Sequence, residues 1–288
     1  MFSTWGRSWQ LVKASWAVLQ ADKELLWFPV ISGIVTMLIS LVMLIPAIAV
    51  SITLFSTGAN DGVNQTVGIV GLFIFYFVTY GVGIYFNTAL VGAAMIRLDG
   101  GDPTLSDGFG IANSRLGSIL GFAAMSATVG VILRTLEERG GIVGDIVSFL
   151  GGVAWGMASF LVIPVIVAQD VNAWQGLKTS ARLLRETWGE QITGNFSIGG
   201  VFFVGYLLII VLGVGLGILV GSLFESTALV IGIVSLVVFA LIALAVLQGA
   251  ITGIYQATLY RYAESGVAPD MFDIDLIKGA FKPKRKRG

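Results

Sequence analysis

The sequence predicts an all-α, polytopic membrane protein. Six transmembrane helices form three hairpins, each preceded by an interfacial amphipathic helix, with both termini inside. Three observations predict this. Only 12% of the 288 residues are charged, about half the roughly 25% of a soluble domain. Hydrophobic residues make up 56% and mean hydropathy is +0.90, which also excludes a disordered chain, since such chains are poor in apolar residues. Finally, the charges are segregated: windows 25–60, 62–96, 116–133, 146–169, 191–224 and 226–260 contain no Asp, Glu, Lys or Arg.

A helix needs about 20 apolar residues to cross the roughly 30 Å hydrocarbon core. The spans are therefore expected near 26–55, 67–96, 116–133, 146–168, 196–224 and 228–260, together forming a membrane domain over 1–260. Window 116–133, rich in Gly, Ala and Ser and flanked by Arg115 and Arg134, is just long enough. The longest windows exceed the bilayer, so those helices tilt, kink or project. Pro29, Pro46 and Pro164 are the kink or entry points. With six spans, 15 of the 17 Lys and Arg fall on one side and only Arg134 and Arg139 on the other. Cytoplasmic loops hold the basic excess, so both termini lie inside. No cleavable signal peptide is expected, because the first 24 residues already carry Arg7, Lys13, Asp22, Lys23 and Glu24.

The element before the first span places Trp5, Trp9, Val12, Trp16 and Leu19 on one helical face, with Arg7, Gln10 and Lys13 turned away. That pattern is an interfacial helix with a tryptophan anchor. A second lies at 173–188, where Trp174, Leu177, Ala181, Leu184 and Trp188 share a face. The two align at an offset of 165: Trp9-Gln10, Lys13, Ser15 and Leu19 match Trp174-Gln175, Lys178, Ser180 and Leu184. A weaker third copy runs from Gly108 to Ser118, with Ser114 at the serine position. Two span ends also match, Gly83-Ile84-Tyr85 with Thr88 against Gly253-Ile254-Tyr255 with Thr258. This reads as three parallel units; chance similarity between amphipathic helices is the competing explanation.

Arg97-Leu98-Asp99-Gly100, Asp107-Gly108, Arg115-Leu116, Thr128-Val129-Gly130 and Arg134 carry a resemblance. So do Gly152 with Trp155, Val162-Ile163-Pro164-Val165, Leu177-Lys178-Thr179-Ser180, Leu183-Leu184 and Thr187-Trp188-Gly189-Glu190. Over most of 1–260 the chain resembles a family of bacterial and archaeal integral membrane proteins of unknown function. More distantly it is similar to the membrane domain fused to some glycerophosphodiester phosphodiesterases, without their catalytic domain. The resemblance implies six spans in a prokaryotic cell membrane and supplies no activity, catalytic residue or ligand.

Cys and His are both absent. No thiolate nucleophile, imidazole metal site or histidine triad can form, and no cofactor, metal or enzymatic activity is expected. No ionisable side chain except tyrosine lies within a span, which argues against proton relays and voltage sensing. The polar residues there include Asn87, Gln248, Thr252 and Gln256. They either bond between helices or line a polar path for a solute. Gly213, Gly217 and Gly221 form a GxxxGxxxG row, a helix-packing motif within the chain or between copies. Asp99, Asp102 and Asp107 in one loop and Glu137 and Glu138 in another suit acid–base work or cation binding, but more simply are turn, cap and solvated loop residues.

The cytoplasmic tail, 261–288, ends in a basic cluster including Lys282, Lys284, Arg285, Lys286 and Arg287. It serves as a topology determinant contacting anionic headgroups, and no nucleic-acid partner is expected. The first functional expectation is a non-enzymatic protein that organises membrane lipids or partner proteins, itself included as a homo-oligomer. The alternative is a channel or transporter for a neutral or lipid-like solute.

Overall fold

A computed structural model describes residues 2–58, 61–188, 197–224, 226–269, 272 and 277. Among them there are ten α-helices, one 3₁₀ turn and no strand. Helix α1 (Phe2–Ala21) leads through the 3₁₀ turn Lys23–Leu26 into α2 (Trp27–Ser56) and α3 (Asp61–Leu98). Then come α4 (Leu105–Ser114), α5 (Leu116–Arg139), α6 (Gly141–Ser159) and α7 (Val162–Gln169). Helices α8 (Ala173–Trp188), α9 (Ser197–Phe224) and α10 (Thr227–Ser265) complete the order. Six segments are long and apolar enough to cross a membrane, α6 and α7 together counting as one. The protein is a multi-pass membrane protein.

Two spans differ from expectation. Helix α5 continues past Leu133 to Arg139, and α6 begins at Gly141. The expected loop 134–145 shrinks to Gly140. Arg134 pairs with Glu137 and Glu138 one turn on, at 3.7 and 2.7 Å, so the charges extend the helix rather than end it. The turn is then tight. A Cβ on Gly144 would sit 2.2 Å from the Leu136 carbonyl oxygen, and Gly141 has φ +52, a conformation glycine adopts without strain. The fourth span is also broken, at Phe160–Leu161. Pro164 has no N–H to continue a helix, and it sits in the first turn of α7, where none is needed. The freed Leu161 N–H donates to Ser180 Oγ of α8 at 3.0 Å. Of the other prolines, Pro29 occupies the first turn of α2 and Pro46 lies inside it.

Helices α3 and α10 are central. Helix α3 packs on α2, α4, α5, α7 and α10, and α10 on α1, α2, α7, α8 and α9. Consecutive spans α2/α3, α5/α6 and α9/α10 also pack together. The core is concentrated at the end carrying α1, α4 and α8. There Leu11, Leu19, Leu25, Phe28, Leu90, Ala94, Leu161, Ile166, Ile254 and Tyr260 are buried. Toward the other end α2 and α9 present exposed Leu41, Ile45, Phe55, Leu212 and Ile218, side chains that face hydrocarbon in a membrane.

Loops at the core end are tied together. Arg261 pairs with Asp99, and Arg115 with Asp170 at 2.5 Å. Glu24 accepts the Leu105 N–H at 3.1 Å. Thr104 and Asp107 form a capping box at the start of α4, and those bonds from Thr104 lower the Asp107 pKa. Gly108 lies where α4 crosses α3: a Cβ there would be 2.4 Å from Phe28 Cζ and 2.8 Å from the Ala89 carbonyl oxygen.

Candidate functional site

The buried face of α1 is made of Leu11, Val12, Ser15, Val18 and Leu19. Trp9 and Trp16 stand beside that face and are exposed. The face read from the sequence is therefore split: Val12 and Leu19 belong to the packed side, while Trp9 and Trp16 border it. Leu11, Ser15 and Val18 share a second stripe that apolar counting alone passes over. Of Trp5 and Trp188 only the helical backbone is described.

Helices α1 and α8 repeat this environment residue by residue. Ser15 and Ser180 are both fully buried, Leu19 and Leu184 are buried, and Trp9 and Trp174 are 50% and 57% exposed. Lys13 Nζ lies over the Trp9 ring at 5.9 Å, and Lys178 Nζ over the matched Trp174 ring at 5.1 Å, both in the range of cation–π attraction. One difference stands out: Ser180 accepts the Leu161 N–H, whereas Ser15 Oγ is buried with no partner among the described residues. Ser114 of α4 does not follow the pattern. It is exposed, and its hydroxyl donates to the Ile111 carbonyl at 2.7 Å. The matched span ends agree again. Thr88 and Thr258 are buried, and each donates to the carbonyl one turn earlier, Ile84 and Ile254, at 2.7 and 3.0 Å.

Three of the four polar residues singled out in the spans come together. Asn87 of α3 and Gln248 and Thr252 of α10 line one cleft of about 330 Å³ with Pro29 and Ser32 of α2, Phe86 of α3 and Tyr206 of α9. Its volume is at the lower end of small-ligand sites. The Tyr206 hydroxyl donates to Gln248 Oε1 at 2.8 Å. Gly253 brings α10 against α3 beside this cleft: a Cβ there would lie 2.5 Å from Leu90 Cδ2 and 3.2 Å from Asn87 Oδ1. Gln256 lies one turn further along α10, outside the lining. Its Oε1 is buried without a hydrogen-bond partner among the described residues. Tyr206 and Ser32 were not singled out from the sequence. A tyrosine in an apolar span carries a polar handle that needs a partner, and that was the available signal.

A second cleft of about 310 Å³ lies between α3, α5 and α6, lined by Tyr80, Ser126, Gly130, Trp155 and Ser159 among others. A third, of about 970 Å³, is an apolar groove between the outer halves of α2 and α3, from Ser40 to Phe55 and from Asn64 to Phe75.

The glycine row is not uniform. A Cβ on Gly213 would meet Val237 Cγ2 at 2.3 Å, and one on Gly221 would meet Val230 at an ordinary 3.4 Å. Gly217 meets nothing within 4 Å. Only the first is a close helix contact; at half-buried Gly217, between two positions that face α10, the helices stand apart. The basic residues Lys282, Lys284, Arg285, Lys286 and Arg287 lie outside the described residues. Among the described residues no group of three or more acidic side chains is placed to hold a metal ion.

Residues 66–269 match a family of unknown function (DUF6159). No curated protein matches the chain.

Proposed function

The chain belongs to the DUF6159 family, whose function is unknown, and we propose that it is a non-enzymatic protein that organises lipid or partner proteins in a prokaryotic cytoplasmic membrane. Its spans form three hairpins with both termini cytoplasmic, and α1, α4 and α8 lie along the cytoplasmic interface. The observation that carries the reading is the duplicated Trp–Lys pair. Trp9 with Lys13 and Trp174 with Lys178 are exposed at matched positions on helices that each bury one face. An indole at the interface with a cation beside it suits a headgroup region with anionic lipid. The basic tail adds to that attraction, and the apolar groove between α2 and α3 offers a seat for acyl chains or for a helix of another copy.

The test is purification into discs of native membrane, with mass spectrometry of the retained lipids and proteins. Enrichment of anionic lipid, or of a defined partner, over the bulk membrane is the expected result. The reading fails if nothing is enriched and reconstituted liposomes take up solute in a protein-dependent way. The cleft holding Asn87, Gln248 and Thr252 favours a second reading, transport of a neutral or lipid-like solute. In that reading Gln256 would need to join the cleft as the path opens.

A further inference from the structure

We propose that the cleft between α2, α3, α9 and α10 is a binding site for the uncharged, hydroxyl- or ester-bearing glycerol head of a membrane lipid, entered sideways from the leaflet. The inference rests on the lipid-organising reading and names the chemistry that one site would recognise.

Four features carry it. First, a mostly apolar lining carries several polar side chains but no Asp, Glu, Lys or Arg. Asn87, Gln248, Thr252 and Ser32 offer amides and hydroxyls, which match hydroxyls and ester carbonyls and leave a phosphate or ammonium without a counter-charge. Gln248 is oriented for this: its Oε1 accepts from Tyr206, so its two amide hydrogens remain as donors.

Second, the cleft is closed toward the core end. Leu25, Phe28, Val91, Ala94, Ile254 and Ala257 are all buried there, and Gln256 lies off the lining. That closure makes a seat rather than a conduit. Third, it is open toward lipid. Helix α2 packs on α3 and α10, while α9 packs on α10 and α1. Beside Ser32 and Tyr206, the apolar Ile34, Met37, Phe203 and Leu207 are exposed. Fourth, the depth fits. Pro29 and Ser32 are the third and sixth residues of α2, about 3–8 Å along the helix from its start, where exposed Trp27 stands. With exposed Trp27 set at the interface, as tryptophan prefers, the α2 edge of the cleft lies just below it, within reach of a lipid's glycerol.

The repeat supplies an internal contrast. Moving each unit onto the next takes α10, α2 and α3 onto α3, α5 and α6, which line the second cleft. That cleft has serines but no amide in its lining. The amides therefore belong to one position of the repeat rather than to helix packing common to all.

The experiment uses the full chain in nanodiscs of phosphatidylethanolamine and phosphatidylglycerol doped with a photoreactive diacylglycerol, with crosslinked peptides mapped by mass spectrometry. Labelling is expected on peptides holding Ser32, Asn87, Tyr206 and Gln248. It should fall about fivefold in Asn87→Leu and in Gln248→Leu, the effect of one net hydrogen bond. Ser126→Ala in the second cleft and a large excess of free glycerol should leave it unchanged. Thr252→Val, nearly isosteric, gives a second variant if the amide replacements do not fold, with a reduction expected there too. Equal labelling by photoreactive phosphatidylglycerol, labelling spread evenly over exposed helix faces, or unchanged labelling in the folded variants overturns the proposal. Competition by glycerol also overturns it and assigns the cleft to a soluble polyol. If lipid is enriched on purification but the cleft is unlabelled, this inference fails alone; if neither occurs, the lipid-organising reading fails with it.

Discussion

Replacing Gly213 with Ala places a methyl 2.3 Å from Val237 Cγ2, 3.3 Å from its Cγ1 and 3.4 Å from its Cβ. Val237 is β-branched and sits inside α10, where valine holds one strongly preferred rotamer. It cannot turn away, so α9 and α10 must separate. Overpacking of this kind costs about 1–3 kcal/mol. Alanine recovers up to about 1 kcal/mol of helix propensity, leaving a net loss of up to about 2 kcal/mol. At about 2–4 °C per kcal/mol for a large single domain, the expected fall in Tm is up to about 8 °C. Gly217→Ala, four residues on in the same row, meets nothing within 4 Å and should not lower Tm. Thermal unfolding in detergent, followed by circular dichroism and size-exclusion recovery, reads the difference. Val237→Ala combined with Gly213→Ala should recover more stability than the two single changes predict by addition. Equal shifts for Gly213→Ala and Gly217→Ala, or additivity in the double variant, would refute the reasoning.

Three further outcomes follow from the same packing. Ser180→Ala leaves the buried Leu161 N–H without its acceptor and should destabilise by about 1–3 kcal/mol, whereas Ser15→Ala removes a buried hydroxyl with no partner among the described residues and should be neutral or stabilising; paired melting curves separate them. Asp22 is buried with its Oδ2 unpartnered among the described residues, and burial raises its pKa above 3.8. The folded state therefore favours the neutral acid, and the contribution is full below about pH 3.8 and lost as pH rises through the higher folded pKa. Asp22→Asn keeps the acceptor for the Glu24 N–H, so it should raise Tm at pH 7, with the gain vanishing in acid; a pH-independent shift would contradict this. Gly108→Ala meets the Ala89 carbonyl as well as Phe28, and backbone cannot give as a side chain can, so this variant should lose more folded protein on size exclusion than Gly213→Ala.

The sequence made the spans legible because hydrocarbon excludes charge, and a charge-free window is a one-dimensional property. The break near Pro164 was legible for the same kind of local reason, a missing N–H. The matched Trp, Lys, Ser and Leu positions of α1 and α8 were visible as an alignment, and in the structure they have matching burial and ring contacts. The extension of α5 to Arg139 was harder to see, since charges that read as a loop are equally good as i,i+3 and i,i+4 pairs on a helix.

What the sequence by itself determined is therefore which segments enter the membrane and where polar residues sit along them. Only the tertiary structure decided which faces meet. In lipid an apolar side chain is equally at home against a neighbour or against an acyl chain, so hydrophobicity carries no inward direction. Gly213 and Gly217 look alike in sequence, yet one touches Val237 and the other nothing. Asn87 and Gln248 lie 161 residues apart in the chain and meet in one cleft because Gly253 lets α10 close on α3. Gln256, spaced along α10 as regularly as Gln248 and Thr252, falls outside it.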